Sequence, residues 1–380
     1  MERLKSVGRL GAQPIGMDID RGAIKAVQIS TAGGSYNLRH VGYHRLPPGT
    51  IVEGEVADHD LLAAEVKEFW SSHSFKGKSV ILGIANQKVV VRLLDFPRIE
   101  DPEDLRSAIG FEAQEHIPMP LEETVLDHAV LGPQGEGSDQ DRILVVAADK
   151  EMVGRYISAL RTGGLRLSGI DVKALSLTRS TIPETFFGEE GAVLLLDVGT
   201  ELTSLALTHG PNPTLTRFIP MGLDDFVGAV ADAAGLPEDQ AEKQALSAPA
   251  TLGHGREGEE EQGDATGENP EDDDFDPALL YDVRRGLEET TRALAEEVQR
   301  SIEYHHSQVG SREVTQVFVS GEGALIPGLD AHLGELLGLT TQRGNPVAKL
   351  AANRSNISDE QLGAMEPVLA VAFGLAMEDE

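Results

Sequence analysis

Two stretches 179 positions apart share one pattern: Pro14-Ile-Gly-Met-Asp-Ile-Asp-Arg-Gly-Ala-Ile-Lys-Ala-Val-Gln28 and Val193-Leu-Leu-Leu-Asp-Val-Gly-Thr-Glu-Leu-Thr-Ser-Leu-Ala-Leu207. Each is an apolar run ending at an aspartate, a few small or polar residues, and a second apolar run. That reads as a strand, a tight turn carrying a carboxylate, and a returning strand. Backbone N–H groups in such a turn can face a phosphate, and the aspartate can hold a metal ion bound to it. Either copy alone reads equally well as a solvated hairpin. The pair, one per half of the chain, predicts two related domains clasping one nucleotide.

With 380 residues the chain is too long for one small core, and two or more domains are expected. Cysteine is absent, which removes disulfides and thiolate metal sites and suits a cytosolic setting. No apolar run approaches the roughly 18 to 20 residues that crossing a bilayer needs. The segment Met1–Gly11 has basic residues but no apolar stretch, so it does not read as a secretory signal. The net charge of −31 argues against a nucleic-acid partner, which demands a basic footprint. Much of that charge is local: residues 251–280 hold 11 acidic residues against one basic.

Hydrophobic periodicity predicts strands near 14–20, 23–30 and 35–44, a helix near 58–72 and a strand at 79–84. An α+β unit follows: strand 88–97 ending in proline, a helix from Asp101 to His116, strands near 124–132 and 143–148, and a helix at 150–163. The second Asp-turn hairpin occupies 191–209. A strand at 214–220, a helix near 223–234, a polar glycine-rich loop at 247–277 expected to be disordered, and a long helix at roughly 278–309 come next. Strand Val314–Val319 then enters the turn Ser320-Gly-Glu-Gly-Ala324, a context in which ribose or phosphate can approach backbone. A buried helix near 366–377 closes the pattern.

An Asp-turn, a second Asp-turn and a glycine turn, each after a strand, resemble the nucleotide-binding order of the actin-like ATPase superfamily. Within it, Phe111-Glu-Ala-Gln-Glu-His-Ile-Pro-Met-Pro-Leu-Glu-Glu-Thr-Val-Leu-Asp-His-Ala-Val-Leu131 is similar to the PilM family of type IV pilus assembly, where a glutamate-bearing helix runs into an Ile-Pro-x-Pro corner. Leu94-Asp-Phe-Pro97, Gly169-Ile-Asp-Val172, Ala241-Glu-Lys243, Asn345-Pro346 and Ala370-Val-Ala-Phe-Gly-Leu-Ala376 agree in the same order.

The resemblance implies an α/β actin-like ATPase fold, two ribonuclease-H-like lobes around a nucleotide cleft. The first lobe would be 1–86 with 166–190 and 351–380, with an inserted α+β subdomain at 87–165 as in FtsA. The second would be 191–234 with 300–350, carrying a small subdomain at 235–299. It also implies ATP with Mg2+. Asp18, Asp20, Arg21, Gly22 and Lys25 would form the first phosphate turn, and Asp197, Gly199, Thr200 and Thr203 the second. Gly321, Glu322, Gly323 and Ala324 would line the nucleoside, Glu242 and Lys243 would flank the base, and Asn345 would sit on the adenosine side. The Asp18 and Asp197 pair suits a hydrated Mg2+. The implied partner is the N-terminal cytoplasmic tail of a PilN-like bitopic inner-membrane protein, bound between the first lobe and the 87–165 unit. The chain would then sit at the cytoplasmic face of the inner membrane through that partner.

No catalytic base stands out; Glu201 and Glu112 are candidates by location only, so slow turnover at most is expected. Asp20 stands where the superfamily usually carries glycine, and its charge would repel a phosphate unless Mg2+ or Arg21 compensates. Glu322 stands where the pilus proteins usually carry glycine, and could accept a ribose hydroxyl or crowd the backbone approach that glycine permits. His305-His306 reads as a surface pair, since adjacent helical residues diverge by about 100°. The Ile117-Pro-Met-Pro120 corner fits pure architecture or a peptide-docking wall equally well. Other classes remain open: an FtsA-like filament protein, or a small-molecule kinase of the same superfamily.

Overall fold

The computed structural model describes residues 15–32, 34–133, 138–183, 191–210, 213–250, 277–308 and 310–377. Most of the acidic loop expected at 247–277 and the whole Met1–Gly11 segment lie outside those residues. Of residues 247–250, placed in that loop by composition, Ala248 and Ala250 are buried in a core and Ser247 is exposed.

Each half is built on a mixed sheet. The first begins with β1 (Ile15–Ile19), β2 (Ala23–Ala32) and β3 (Ser35–Arg45), an antiparallel meander. A two-strand hairpin, β4 (Ile51–Val52) with β5 (Glu55–Val56), precedes α1 (His59–Ser72), whose cap Asp58 accepts the Leu61 N–H. β6 (Ser79–Ile84) then lies parallel to β1.

The chain next leaves the sheet for a separate three-stranded one. Strand β7 (Val89–Pro97), helix α2 (Pro102–His116), strands β8 (Thr124–Pro133) and β9 (Gln140–Asp149), and helix α3 (Lys150–Thr162) make this unit. Its sheet order is β7-β9-β8. Helix α2 starts with Asp101 accepting two backbone N–H groups and Pro102 in its first turn, the signature read from sequence. The Ile117-Pro-Met-Pro corner ends it: Ile117 is buried against Val90, Ala113 and Ala147, with Met119 packed alongside.

β10 (Arg166–Val172) returns to the first sheet beside β6 and leads into α4 (Lys173–Thr181). The second sheet follows: β11 (Ala192–Val198), β12 (Thr203–Thr208) and β13 (Pro213–Ile219) form another antiparallel meander. Helices α5 (Leu223–Ala234), α6 (Glu238–Ala245) and α7 (Pro277–His306) cover one face of it. α7 runs unbroken through residue 300 and buries Val283, Leu287, Leu294, Val298 and Ile302 at helical spacing. β14 (Val314–Ser320) pairs parallel to β11, α8 (Leu329–Leu337) follows, and β15 (Thr340–Arg343) closes the sheet. β16 (Leu350–Asn353) returns to the first sheet at its β3 edge, before α9 (Asp359–Met365) and α10 (Ala370–Ala376). The sheet orders are β10-β6-β1-β2-β3-β16 and β13-β12-β11-β14-β15. In both, a three-strand meander sits beside parallel strands, so the two halves repeat one design.

Between the sheets lie α4 and α10, both almost wholly buried. Small residues permit the closeness. A Cβ on Gly374 would strike the Ser176 carbonyl, and one on Gly16 would strike the Ala372 carbonyl. The helix expected at 366–377 therefore begins only at Ala370. Pro367 opens a 3-10 turn, Pro367–Leu369, ahead of it. The His305-His306 reading also needs correction. His305 is buried, with Nε2 3.0 Å from the Arg312 carbonyl, and only His306 is exposed. Among the described residues no helix is long and apolar enough to cross a membrane.

Candidate functional site

The register of the first hairpin decides what its turn contains. β1 pairs with β2 so that Asp18 lies opposite Lys25, and the two side chains meet at 2.9 Å. Asp20 sits in the turn itself. Its Oδ1 accepts the N–H groups of Gly22 (2.9 Å) and Ala23 (3.0 Å), while its Oδ2 accepts Lys25 Nζ at 2.6 Å. Lys25 is 2% exposed, so this ammonium is removed from water and surrounded by carboxylates.

In the second hairpin Asp197 is the penultimate residue of β11, opposite Ser204 on β12 and level with Ser320 on parallel β14. That pairing delivers the glycine turn to the same end of the sheet. Gly321 takes a φ of 87°, a conformation an L side chain resists, and a Cβ there would strike the Val198 carbonyl. The tight passage sends Glu322 across to the first lobe, where its Oε1 accepts Lys25 Nζ at 2.7 Å. Instead of opening a helix directly, the turn forms a short 3-10 segment, Glu322–Leu325, and α8 starts at Leu329.

A residue that sequence reasoning missed completes the cluster. Lys173, at the first turn of α4, pairs with Asp18 Oδ1 at 2.5 Å and donates to the Ile19 carbonyl at 3.1 Å. Its signal was faint: a lysine lodged between the apolar strand ending at Val172 and the apolar helix residues Ala174 and Leu177.

These groups shift one another. Burial pushes the Asp197 carboxyl up to about 6, and the nearby Asp18 charge adds to the rise. Glu322 is pushed up to about 7, by burial first and then by Asp20, with Lys25 opposing. For Asp20, burial works upward, but Lys25 and then Lys173 outweigh it and hold it below the usual carboxylate range. Burial also disfavours the Lys25 charge, yet Asp18, Asp20 and Glu322 prevail and keep its pKa well above that of a free lysine.

The two turns touch. A Cβ on Gly22 would lie 2.5 Å from Thr200 Oγ1, so the first turn can approach the second only with glycine there. Gly199 and Thr200 present their carbonyls to the Leu223 and Asp224 N–H groups, which anchors the second turn on the start of α5. Asp20, Arg21, Lys173, Asp197, Thr200 and Glu201 line the narrow cleft between the lobes.

Further links cross it. Arg21 pairs with Asp224, Arg45 with Glu242 at 2.8 Å, and Glu201 accepts the Glu53 N–H at 2.6 Å. Other candidates fall elsewhere. The Thr203 hydroxyl donates to the Met221 carbonyl (2.7 Å), and Lys243 is exposed on α6. Asn345 caps a 3-10 turn through Ala348 N, and Glu112 lies on α2 near His116. Gly323 packs on Val198, and Ala324 is buried beneath the turn.

Comparison with solved structures agrees with this arrangement. A PilM-PilN type IV pilus biogenesis complex superposes with a TM-score of 0.78 at 28% identity, covering 96% of this chain and 98% of the other. The ethanolamine utilization protein EutJ from Carboxydothermus hydrogenoformans matches at 14% identity and a TM-score of 0.54, covering 96% and 89%. MreB5 of Spiroplasma citri bound to ADP matches at 12% and 0.51, covering 95% and 94%. The latter two show the fold alone: two lobes of the actin-like ATPase type. The family described as Type IV pilus assembly protein PilM matches residues 16–251 and 284–380, both lobes and the three-stranded unit. By fold, by turn order and by that match over nearly its whole length, the chain belongs to the PilM family of type IV pilus assembly proteins.

Proposed function

We propose that the protein is a cytoplasmic, actin-like component of a type IV pilus assembly platform. It is held at the inner membrane by binding the N-terminal tail of a PilN-like bitopic protein. The observation that carries this reading is the near full-length match to a family whose solved relative is a PilM-PilN complex. The lobe division stated above, with 87–165 as an inserted subdomain, belongs to the same proposal.

The tail would dock where that unit meets the first lobe. Along the seam Tyr156 Oη donates to the Gly54 carbonyl (3.1 Å), and His59 Nε2 lies 3.0 Å from Ser158 Oγ. Val52 and Ile157, on β4 and α3, leave 44% and 40% of their surface exposed. Apolar side chains on a strongly acidic protein suit a basic, partly apolar peptide. The test is a titration of the full chain with a synthetic N-terminal tail of a PilN-like protein. Micromolar-range binding that weakens with salt is expected; no binding at low salt overturns the reading.

In this reading the interlobe cleft takes ATP with Mg2+ as a structural or switching ligand. The residues fit in part. Asp18 and Asp197, one from each lobe, are hard oxygen donors of the kind Mg2+ accepts. Glu322 Oε2 is buried with no hydrogen-bond partner among the described residues, an acceptor waiting for a cation or donor. Gly199 and Thr200 would face the phosphates, and Gly321 to Ala324 the nucleoside. Mg2+, when bound, would supply positive charge between these carboxylates and the phosphate oxygens. The first turn fits less well, because its donors already have a carboxylate.

A further inference from the structure

A carboxylate that accepts two backbone N–H groups of a turn and the ammonium beyond it makes the set of contacts a phosphate oxygen would make there. Asp20 does this. Gly22 N, Ala23 N and Lys25 Nζ all donate to it, at 2.9, 3.0 and 2.6 Å. Lys25 has three N–H groups and meets three carboxylates, those of Asp18, Asp20 and Glu322. That ammonium donates hydrogen bonds to Asp20 and Glu322 and is held by Asp18 as an ion pair at 2.9 Å. Lys173 is engaged in turn by Asp18 and the Ile19 carbonyl. The Glu322 contact also spans the cleft, tying the glycine turn of one lobe to the phosphate turn of the other.

We propose that Asp20 and Glu322 serve as a built-in substitute for phosphate, so that the lobes close without nucleotide and any nucleotide must first displace these carboxylates from Lys25. This rests on the reading of the cleft as a nucleotide site and specifies how that site is regulated. Charge supports it. Four carboxylates (Asp18, Asp20, Asp197, Glu322) face two ammoniums, so a phosphate adds negative charge to a cluster that already carries an excess. Removing Asp20 frees two turn N–H groups and one donor of Lys25 together. A single charge-assisted hydrogen bond regained by phosphate corresponds to about tenfold or more in affinity.

The test is equilibrium binding of a fluorescent ADP, with Mg2+, to the full chain. It compares the wild type with Asp20→Gly, Asp20→Asn and the double variant Asp20→Gly/Glu322→Gly. Asp20→Gly should bind at least about tenfold more tightly than wild type, and the double variant more tightly still. Asp20→Asn keeps an oxygen for the turn N–H groups but loosens the grip on Lys25, so an intermediate gain is expected. If Asp20→Gly does not fold, Asp20→Asn decides alone: a gain supports the proposal and an unchanged affinity overturns it. Equal affinity across wild type and variants overturns the proposal while leaving the nucleotide site intact. No binding by any folded variant overturns the nucleotide reading itself, and the proposal with it.

Discussion

Lys25 and Glu322 are 297 residues apart in sequence and 2.7 Å apart in space, one on each lobe, and both are buried. Among the described ion pairs that join the lobes it is the most buried. Its energetic weight comes from what each partner would be without the other, because an unpaired buried charge is far more costly than an exposed one.

Lys25→Met should therefore destabilise strongly, by about 3–5 kcal/mol, since it strands three carboxylates around an apolar side chain. Urea unfolding at pH 7.5 measures this. The loss should shrink in acid, where those carboxylates take up protons. A change below about 1 kcal/mol at pH 7.5 would mean the cluster relaxes or hydrates freely.

Asp197 gives a pH signature of definite sign. Its pKa rises from 3.8 to about 6 on folding. Between those values the folded protein holds a proton that the unfolded chain has released. The stability from this group is thus complete below 3.8 and lost as pH rises through 6. Asp197→Asn removes that loss, so the variant should gain on wild type across the window, by up to about 3 kcal/mol, and keep a constant lead above pH 7. Paired urea titrations at pH 5 and pH 8 test it; a lead that is larger at pH 5 contradicts the assignment.

Much of this was readable beforehand, for reasons that lie in particular residues. The hairpins were legible because strand period and turn chemistry are local, and once β1 and β2 pair across a short turn, Asp18 and Lys25 fall opposite each other. The match to the PilM family followed from the Ile117-Pro-Met-Pro corner, whose rigidity ties sequence closely to shape. What Asp20 does was not legible. A carboxylate near a phosphate turn can repel the ligand or replace it, and only the side-chain direction tells which. Lys173 was missed because its role arises from β10 lying beside β6, and β6 beside β1, a long-range fact. His305 was misplaced because burial there depends on the turn leading to Arg312, not on helical periodicity.

Gly374 tests the packing between the sheets. A Cβ at this position meets the Ser176 backbone rather than a movable side chain. Gly374→Ala should cost about 2–3 kcal/mol, the upper range for overpacking, or prevent folding. Differential scanning calorimetry gives the readout. Gly154→Ala, inside α3 with open space around it, is the control and should stabilise slightly, by about 0.5–1 kcal/mol.

At the seam between α3 and the β4-β5 hairpin, Val52→Asp and Ile157→Asp should weaken binding of the tail peptide about tenfold each, while melting temperature stays within a degree or two. Tyr281→Asp, an exposed aromatic on α7, should leave binding unchanged. If all three behave alike, the seam is not where the peptide docks.

Helix α4 shows solvent little more than the half-buried Leu175 and Arg179. It is closed in by α10, by the first sheet and by β11 and β12 of the second, and Lys173 pins its start inside the ionic cluster. Most of its backbone amides lie under those neighbours. In hydrogen–deuterium exchange its protons should thus be the last to leave, later than those of the much longer α7, whose outer face is bathed in solvent. A helix of only nine residues then reports the opening of the whole molecule.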